Sequence, residues 1–275
     1  MQPFSVLMSV YSKEQPEFLR EAMESVFRQT VLPAEVVLVE DGPLTPALDA
    51  EIAKLQALHK EIKVVPLSVN SGLGRALDAG LNQCTYSLVA RMDTDDVCRP
   101  QRFERQLEVM EEHPEIDVCG TWIDEFSDST EHSISTRRLP EKHEDLVEFG
   151  KKRNPMNHMT VMFRKEKVIA SGGYQHYPLF EDYYLWVRMM MRGCRFYTIQ
   201  ESLVDVRADL KMMARRGGLK YALTEARLQM LFFGLKYIGG SRMMVNMSQR
   251  FMVRLLPNQI RLWLYMHKLR ERKGN

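Results

Sequence analysis

Cysteine is scarce and scattered in this 275-residue sequence. Cys84, Cys98, Cys119 and Cys194 form no Cys-X-X-Cys pair, so their spacing suggests neither a zinc site nor a disulfide framework and fits reduced thiols in a cytosol. No run approaches the ~20 apolar residues that a bilayer-spanning helix needs. Residues 1–10 carry no basic segment ahead of a long apolar stretch, so no secretory leader is read there. Neither Gly-X-X-X-X-Gly-Lys nor Gly-X-Gly-X-X-Gly occurs, which removes the phosphate loop and the dinucleotide fingerprint. Internal repeats and low-complexity tracts are also missing. What remains is an ordinary globular composition, 45% hydrophobic and 27% charged, in a chain long enough to bury one sizeable core.

The net charge of +2 conceals an uneven distribution. Residues 1–206 hold 23 Lys/Arg against 33 Asp/Glu, a balance of −10, whereas residues 207–275 hold 15 against 3, a balance of +12. Such an asymmetry divides the chain into an acidic body over 1–206 and a basic extension over 207–275, and it suggests an anionic surface as partner for the latter.

Residues 1 to about 125 alternate strand-like and helix-like patterns. Strands are read over 4–10, 35–40, 62–67 and 86–90 from short runs rich in Val, Ile and Leu. Helices are read over 16–29, where Phe18, Leu19, Ala22, Met23, Val26 and Phe27 share a face, and over 75–83 and 100–113. Thr45-Pro46 reads as an N-cap followed by proline at the first helical position, with Leu48, Ile52, Leu55 and Leu58 behind it. This alternation predicts a mostly parallel α/β sheet flanked by helices. Further strands are read over 118–123 and 159–163, a tight turn at Gly172-Gly173-Tyr174, and a helix over 182–192. The stretch 126–152 is polar without a period and reads as a mobile flap or lid. Three amphipathic helices follow over 221–236, 242–256 and 258–272, broken at Gly239-Gly240 and Pro257.

The residues richest in chemistry are Arg91-Met92-Asp93-Thr94-Asp95-Asp96, directly after the strand ending at Ala90. Unpaired charges resist burial, and the carboxyl ends of strands are where α/β sheets bind ligands. Hard cations prefer oxygen ligands, and Mg²⁺ is held by one or two carboxylates plus substrate phosphates. An Asp-X-Asp here therefore suits Mn²⁺ or Mg²⁺ against a diphosphate. Glu40-Asp41-Gly42 ends the second strand on the same edge, and Glu181-Asp182 opens a later helix. Each signal has a plainer reading. Asp41 before glycine is also a turn residue, Asp182 also suits a helix dipole, and a lone histidine such as His158 is as often a structural hydrogen-bonder as a site residue. Tyr11 and Trp186 also read as core aromatics.

Ser-Val-Tyr after the first strand, Glu-Asp-Gly after the second, Ala-Arg-Met-Asp-Thr-Asp-Asp after the fourth, Gly-Gly-Tyr, and then Glu-Asp-Tyr-Tyr-Leu-Trp occur in that order over residues 4–216. This order resembles family 2 glycosyltransferases of the GT-A fold, above all the small bacterial members that build O-antigen, capsule or exopolysaccharide. The resemblance implies a GT-A, Rossmann-like sheet and metal-dependent, inverting transfer of a hexose or N-acetylhexosamine from a nucleotide-diphospho-sugar, a UDP-sugar in the first instance, to a hydroxyl of a lipid-linked saccharide. It implies that Ser9, Tyr11, Asp41, Arg91 and Asp93 bind the donor, with Asp41 at the uracil and Tyr11 beside the base. It places Asp95 on Mn²⁺ or Mg²⁺, makes Asp182 the catalytic base, and sets Glu181 and His158, with Asn157, on the acceptor side. Two departures from the pattern stand out. Glu40 occupies a position where Asp is commoner, and Ala76-Leu77-Asp78 replaces a frequent Ala-Arg-Asn, which removes one donor contact unless Arg75 supplies it.

Alternatives from other classes are a sugar-1-phosphate nucleotidyltransferase, whose glycine-rich N-terminal loop is missing, and a non-catalytic nucleotide-sugar-binding scaffold. Residues 207–275 interleave Leu262, Trp263, Tyr265 and Met266 with Arg254, Arg261, Lys268, Arg270, Arg272 and Lys273. A cationic amphipathic helix of this kind suits an anionic bilayer, whereas no nucleic-acid recognition motif accompanies the charge. The expectation is a peripheral protein on the cytoplasmic face of the membrane, with a homodimer through the methionine-rich faces as the competing use of the extension. Arg207, Arg215 and Arg216 are read either as a solvated face or as anion contacts.

Overall fold

The structure, a computed structural model, describes residues 2–127, 129–208 and 218–256. Its centre is a mixed nine-stranded sheet. Four parallel strands form one half: β1 (Phe4–Val10), β2 (Glu35–Glu40), β3 (Ile62–Pro66) and β4 (Leu88–Arg91), in the order β3-β2-β1-β4. Every residue of β1 except Ser9 is buried, because helices cover both faces of a parallel sheet and the strand must be apolar on both sides. The helices between the strands are α1 (Pro16–Phe27), α2 (Pro46–Leu58) and α3 (Leu73–Gln83). The expected cap is present, with Thr45 Oγ1 accepting from the Leu48 N–H at 3.3 Å ahead of Pro46.

Beyond β4 the sheet continues through β8 (Met162–Arg164), β6 (Ile116–Phe126), β9 (Arg195–Arg207) and β5 (Val97–Cys98), while β7 (Ser133–Arg137) pairs with the far half of β6. Alternate residues divide the core into two layers. Val6, Met8, Val36 and Leu38 face α1, α2 and α4 (Arg102–Glu112). Leu7, Val37 and Val39 face α3, and the same layer takes in Leu146 of α5 (His143–Gly150), Val168 of α6 (Lys165–Ala170) and Leu185, Trp186 and Met189 of α7 (Glu181–Met191). Trp186 is thus core, as its plainer reading holds.

Two stretches differ from the sequence reading. Residues 126–152 are no flap: they supply β7 and α5, and the latter buries Leu146. The strand shows no hydropathy period because polar pairs bury it, with Thr136 Oγ1 donating to Asp124 at 2.6 Å and Ser135 Oγ donating to Glu125. Likewise the thirteen residues of β9 have no counterpart in the periodic reading, since Asp205 on that strand is buried by Arg99, which donates to it at 2.6 and 3.0 Å.

Residues after 217 form α8 (Leu219–Gly234) and α9 (Gly240–Leu255). These pack on α7 through Phe180, Tyr183, Val187, Leu228, Phe232 and Ile238, so α7 is covered on both sides. The third expected helix, 258–272, with Trp263, Tyr265, Arg261, Lys268, Arg270 and Arg272, lies outside the described residues, as do Arg215 and Arg216.

Candidate active site

The carboxyl ends of β1 to β4 open on one edge of the sheet, where loops meet that no strand has to pair. At the end of β2, Gly42 has φ +84°, and a Cβ there would stand 2.4 Å from the Asn70 nitrogen, so only glycine lets the two loops touch. Asp41 uses this approach. Its carboxylate accepts from the Ser71 N–H at 2.7 Å and the Gly72 N–H at 3.0 Å, tying the turn that starts α3 to the end of β2. Tyr11, at the end of β1, is 40% exposed and not a core aromatic. Ser9 reaches the edge through its carbonyl, which accepts from Thr94 Oγ1 at 3.4 Å.

The loop after β4 gathers Asp93, Asp95 and Asp96, whose carboxylate oxygens all lie within 4.8 Å of one another. Thr94 Oγ1 donates to Glu14 at 2.9 Å, adding a fourth acid nearby. Like charges this close disfavour ionisation. Burial first, then Asp93 and Glu14, push the Asp95 carboxyl up to about 7, and burial followed by Asp95 drives Asp96 well above its usual range. Arg207 closes the loop from β9: its N–H donates to Asp96 at 3.0 Å, its Nε donates to the Asp95 carbonyl at 3.2 Å, and its guanidinium lies 3.9 Å from the Phe18 ring centre. Arg207 is therefore no solvated residue: its guanidinium pairs with Glu21 and with the Asp95 carbonyl. The donor set fits a hard divalent cation, since it is all oxygen and carries a repulsion that such an ion would relieve.

Beneath the acids lies Arg91, 1% exposed, which pairs with Asp93 through Nη2 while Nε and Nη1 find no partner among the described residues. A buried guanidinium with two unused donors is uncommon outside a ligand site. Its charge also reaches Glu181 and Asp182 at the start of α7. Asp182 accepts from Asn154 Nδ2 at 2.5 Å and from the Tyr183 N–H at 2.7 Å, and burial raises its carboxyl despite both bonds. Burial likewise raises Glu181 to about 7; its Oε2 is buried without a partner among the described residues, and its Cβ would lie 3.2 Å from a Cβ at Gly74, the start of α3.

His158 stands behind this wall. Its Nε2 shares a hydrogen bond with the Tyr174 hydroxyl at 2.9 Å, its ring meets Trp186 edge-on, and burial and then Arg91 hold it well below the usual imidazole range. Asn157 is fully buried and donates to the Thr121 carbonyl at 2.8 Å. Both brace the turn before β8 rather than presenting side chains to an open cleft. The structure thus brings Arg91, Asp93, Asp95, Glu181 and Asp182 together and places Tyr11 and Asp41 along the same edge. Asn154 is the partner that sequence reading missed, because an amide in a polar loop carries no periodic signal.

Asp78, the departure in α3, accepts the Tyr174 N–H at 3.0 Å and so holds the Gly172-Gly173-Tyr174 turn ahead of Asp182. Gly173 has φ +62°, and a Cβ there would stand 2.3 Å from Asp78 Oδ1. Gly173→Ala is expected to cost at least about 2 kcal/mol, from left-handed strain and this clash. A urea unfolding midpoint equal to that of the parent chain would show that the turn relaxes freely.

Compared with known proteins, residues 5–169 match the family model described as glycosyl transferase family 2. The chain is 43% identical over 98% of its length to the amylovoran biosynthesis glycosyltransferase AmsE of Erwinia amylovora, all of which is covered. It is 38% identical over 97% of its length to an Escherichia coli UDP-Gal:alpha-D-GlcNAc-diphosphoundecaprenol beta-1,3-galactosyltransferase, of which 96% is covered. Among solved structures, S. aureus TarS 1-349 in complex with UDP-GlcNAc superposes with a TM-score of 0.67 at 15% identity, over 96% of this chain and 79% of that one. A mannosyltransferase from Pyrobaculum calidifontis, in complex with GDP-Man and Mn²⁺, gives a TM-score of 0.62 at 16% identity, over 94% and 71%.

Proposed function

This chain belongs to glycosyl transferase family 2, and from that premise we propose that it moves a hexose or N-acetylhexosamine from a UDP-sugar, with inversion, to a hydroxyl of a lipid-linked saccharide. The observation that carries the reading is the placement of the acidic loop after β4 and of Asp182 at the start of α7 around one buried guanidinium, Arg91. One group of charges suits a diphosphate and the other suits an attacking hydroxyl. The two relatives reported above support a polysaccharide or lipid-linked product, and the names of the E. coli enzyme and of the TarS complex support UDP as the nucleotide.

In this reading Asp41 and Tyr11 flank the base, Ser9 and Asp93 lie at the ribose and diphosphate, and the two unused Arg91 donors face developing charge on the leaving group. Asp95 would hold Mn²⁺ or Mg²⁺, which neutralises charge on the departing diphosphate. Asp182 removes the proton from the acceptor hydroxyl as that oxygen bonds to the anomeric carbon and the UDP oxygen leaves. One carboxylate on the side opposite the leaving group gives a single displacement and an inverted anomer. Glu181 stands next to that base on the acceptor side. His158 and Asn157 support the wall behind it.

The extension supports a location at the acceptor's membrane. Among the described residues no helix is long and apolar enough to cross a bilayer. The hairpin nevertheless exposes Leu223, Met230 and Phe233 on α8, and Met244, Val245 and Met252 on α9, beside exposed Arg227, Lys236 and Arg242. Apolar side chains among cations suit the interface of an anionic bilayer, here its cytoplasmic face. One preparation tests both parts: full-length protein, a panel of nucleotide-sugars led by UDP-galactose, and a saccharide-diphospho-lipid acceptor in vesicles. Transfer from a UDP-hexose with inverted product, and flotation of the protein with anionic but not neutral vesicles at low salt, are the expected results. A retained anomer would exclude the single displacement. Recovery with neither kind of vesicle would exclude the membrane role and leave dimerisation as the use of the methionine-rich faces, and equal recovery with both would exclude the attraction to anionic lipid.

A further inference from the structure

The C-terminal hairpin touches the site through a chain of hydrogen bonds that begins at the end of α5. The last carbonyls of a helix have no partner within it and need donors from outside. Here three successive carbonyls receive them from α7 and the hairpin: Gly150 from the Tyr183 hydroxyl at 2.6 Å, Lys151 from Asn246 Nδ2 at 2.8 Å, and Lys152 from Arg250 Nη2. Tyr237 adds a bond to the Val147 carbonyl at 3.2 Å. The donors are themselves fixed. Asn246 also donates to Gln229 at 2.8 Å, and Arg250 and Arg254 both pair with Glu225, which is 1% exposed. Gly150 is what permits the approach, since a Cβ there would stand 2.6 Å from the Tyr237 hydroxyl.

Two residues beyond this clamp the chain reaches Asn154. Its carbonyl accepts from Arg137 at 2.8 Å, its Oδ1 accepts from the Met156 N–H at 3.2 Å, and its Nδ2 donates to Asp182 Oδ2 at 2.5 Å. With Oδ1 of Asp182 taken by the Tyr183 N–H, Asn154 supplies the side-chain bond that sets the rotation of the carboxylate. We propose that Asn154 is the positioning residue for Asp182, and that the α8–α9 hairpin holds Asn154 in place by capping α5, so that the basic extension is a working part of the catalytic centre. This rests on Asp182 being the base. The charged and titratable groups facing Asp182 are Arg91 from β4, Arg137 from β7, Tyr174 from the glycine turn, and Glu181 and Tyr183 from α7.

The test uses the full-length enzyme with donor and acceptor. Asn154→Ala is expected to lower kcat by roughly 10- to 100-fold, within the range of a misaligned general base, with donor affinity and melting temperature kept. Because Asn154 bonds to the ionised form, its loss also moves the acid limb of the kcat–pH profile upward, by roughly one unit. A loss of kcat without a shifted limb would mark a merely structural residue and overturn the positioning role. Asn246→Ala is expected to lower kcat several-fold in the parent chain but hardly at all in the Asn154→Ala background, since partners in one chain of contacts are not additive. Additive losses would overturn the hairpin's part. Arg250→Met, at a less buried site, repeats that cycle if Asn246→Ala folds poorly. Asp182→Asn, assayed alongside, separates the two ideas: an active Asp182→Asn removes the base itself, whereas an inactive one beside an unaltered Asn154→Ala removes only the inference made here.

Discussion

Asp182→Asn is expected to bind donor as the parent chain does and to lose transfer by about 10²- to 10⁴-fold, the usual contribution of a positioned general base. The substitution keeps the size of the side chain, but its amide has one acceptor oxygen where the carboxylate accepts from both Asn154 Nδ2 and the Tyr183 N–H. One of these bonds is therefore lost, and a small drop in melting temperature accompanies the variant. What disappears is the capacity to accept a proton. The parent profile carries a related signature. Burial raises the Asp182 carboxyl while Asn154, the Tyr183 N–H, Arg91 and Arg137 lower it, with burial the largest influence. The base works ionised, so kcat falls as pH drops through this raised value, and the acid limb lies above the ~3.9 of an ordinary aspartate. Equilibrium binding of UDP-sugar together with a kcat–pH series decides the matter. Donor affinity that collapses in Asp182→Asn would place this carboxylate in the donor site and end its role as base.

Asp95→Asn is the second large effect, and it separates activity from stability. Turnover is expected to fall by orders of magnitude, and chelation of the parent enzyme should do the same, because the leaving diphosphate then lacks its counter-charge. Stability moves the other way. Burial, Asp93 and Glu14 push the Asp95 carboxyl up to about 7 in the folded protein, against ~4 for an unfolded aspartate. A carboxyl raised on folding favours the folded state while it is protonated. That contribution is complete below the unfolded value and is lost as pH rises through about 7. In chelator, Asp95→Asn should therefore melt higher than the parent at pH 8, and the difference should vanish by about pH 4. Added Mn²⁺ should raise the melting temperature of the parent chain and leave Asp95→Asn unmoved. Full turnover in chelator, or a Mn²⁺-induced shift in the variant, would remove the metal role from this residue.

Much of the fold is legible in the residues alone. Continuous runs such as Val-Val-Leu-Val in β2 have one comfortable place, a parallel strand covered on both faces, and the amphipathic spacing of Leu19, Ala22, Met23 and Val26 in α1 has one as well. The acidic signals after β2 and β4 name the edge that holds Asp41, Asp93 and Asp95, while the approach of Asp182 to Arg91 is a matter of the fold. Where side chains are buried by polar pairing rather than by apolar packing, that legibility ends. The strands β7 and β9 are held by Ser135 and Thr136 on Glu125 and Asp124 and by Arg99 on Asp205, and pairs of this kind leave no period in hydropathy.

Fold class, family and the kinds of residue that carry the chemistry follow from local pattern and from the order of motifs along the chain. Which of those residues gather around Arg91 and which are buried behind it depends on the packed fold. It buried Asn157 and His158 in the wall, turned Arg207 into the clasp of the acidic loop, set the charge of Arg91 near both Asp93 and Asp182, and ran hydrogen bonds from Glu225 through Arg250 to the Lys152 carbonyl, two residues along the chain from Asn154. The physical reason is distance along the chain. Glu225 and Asn154 are 71 positions apart in sequence, and a hydrogen bond is specified by donor and acceptor positions to within a few tenths of an ångström, which the folded core alone can provide.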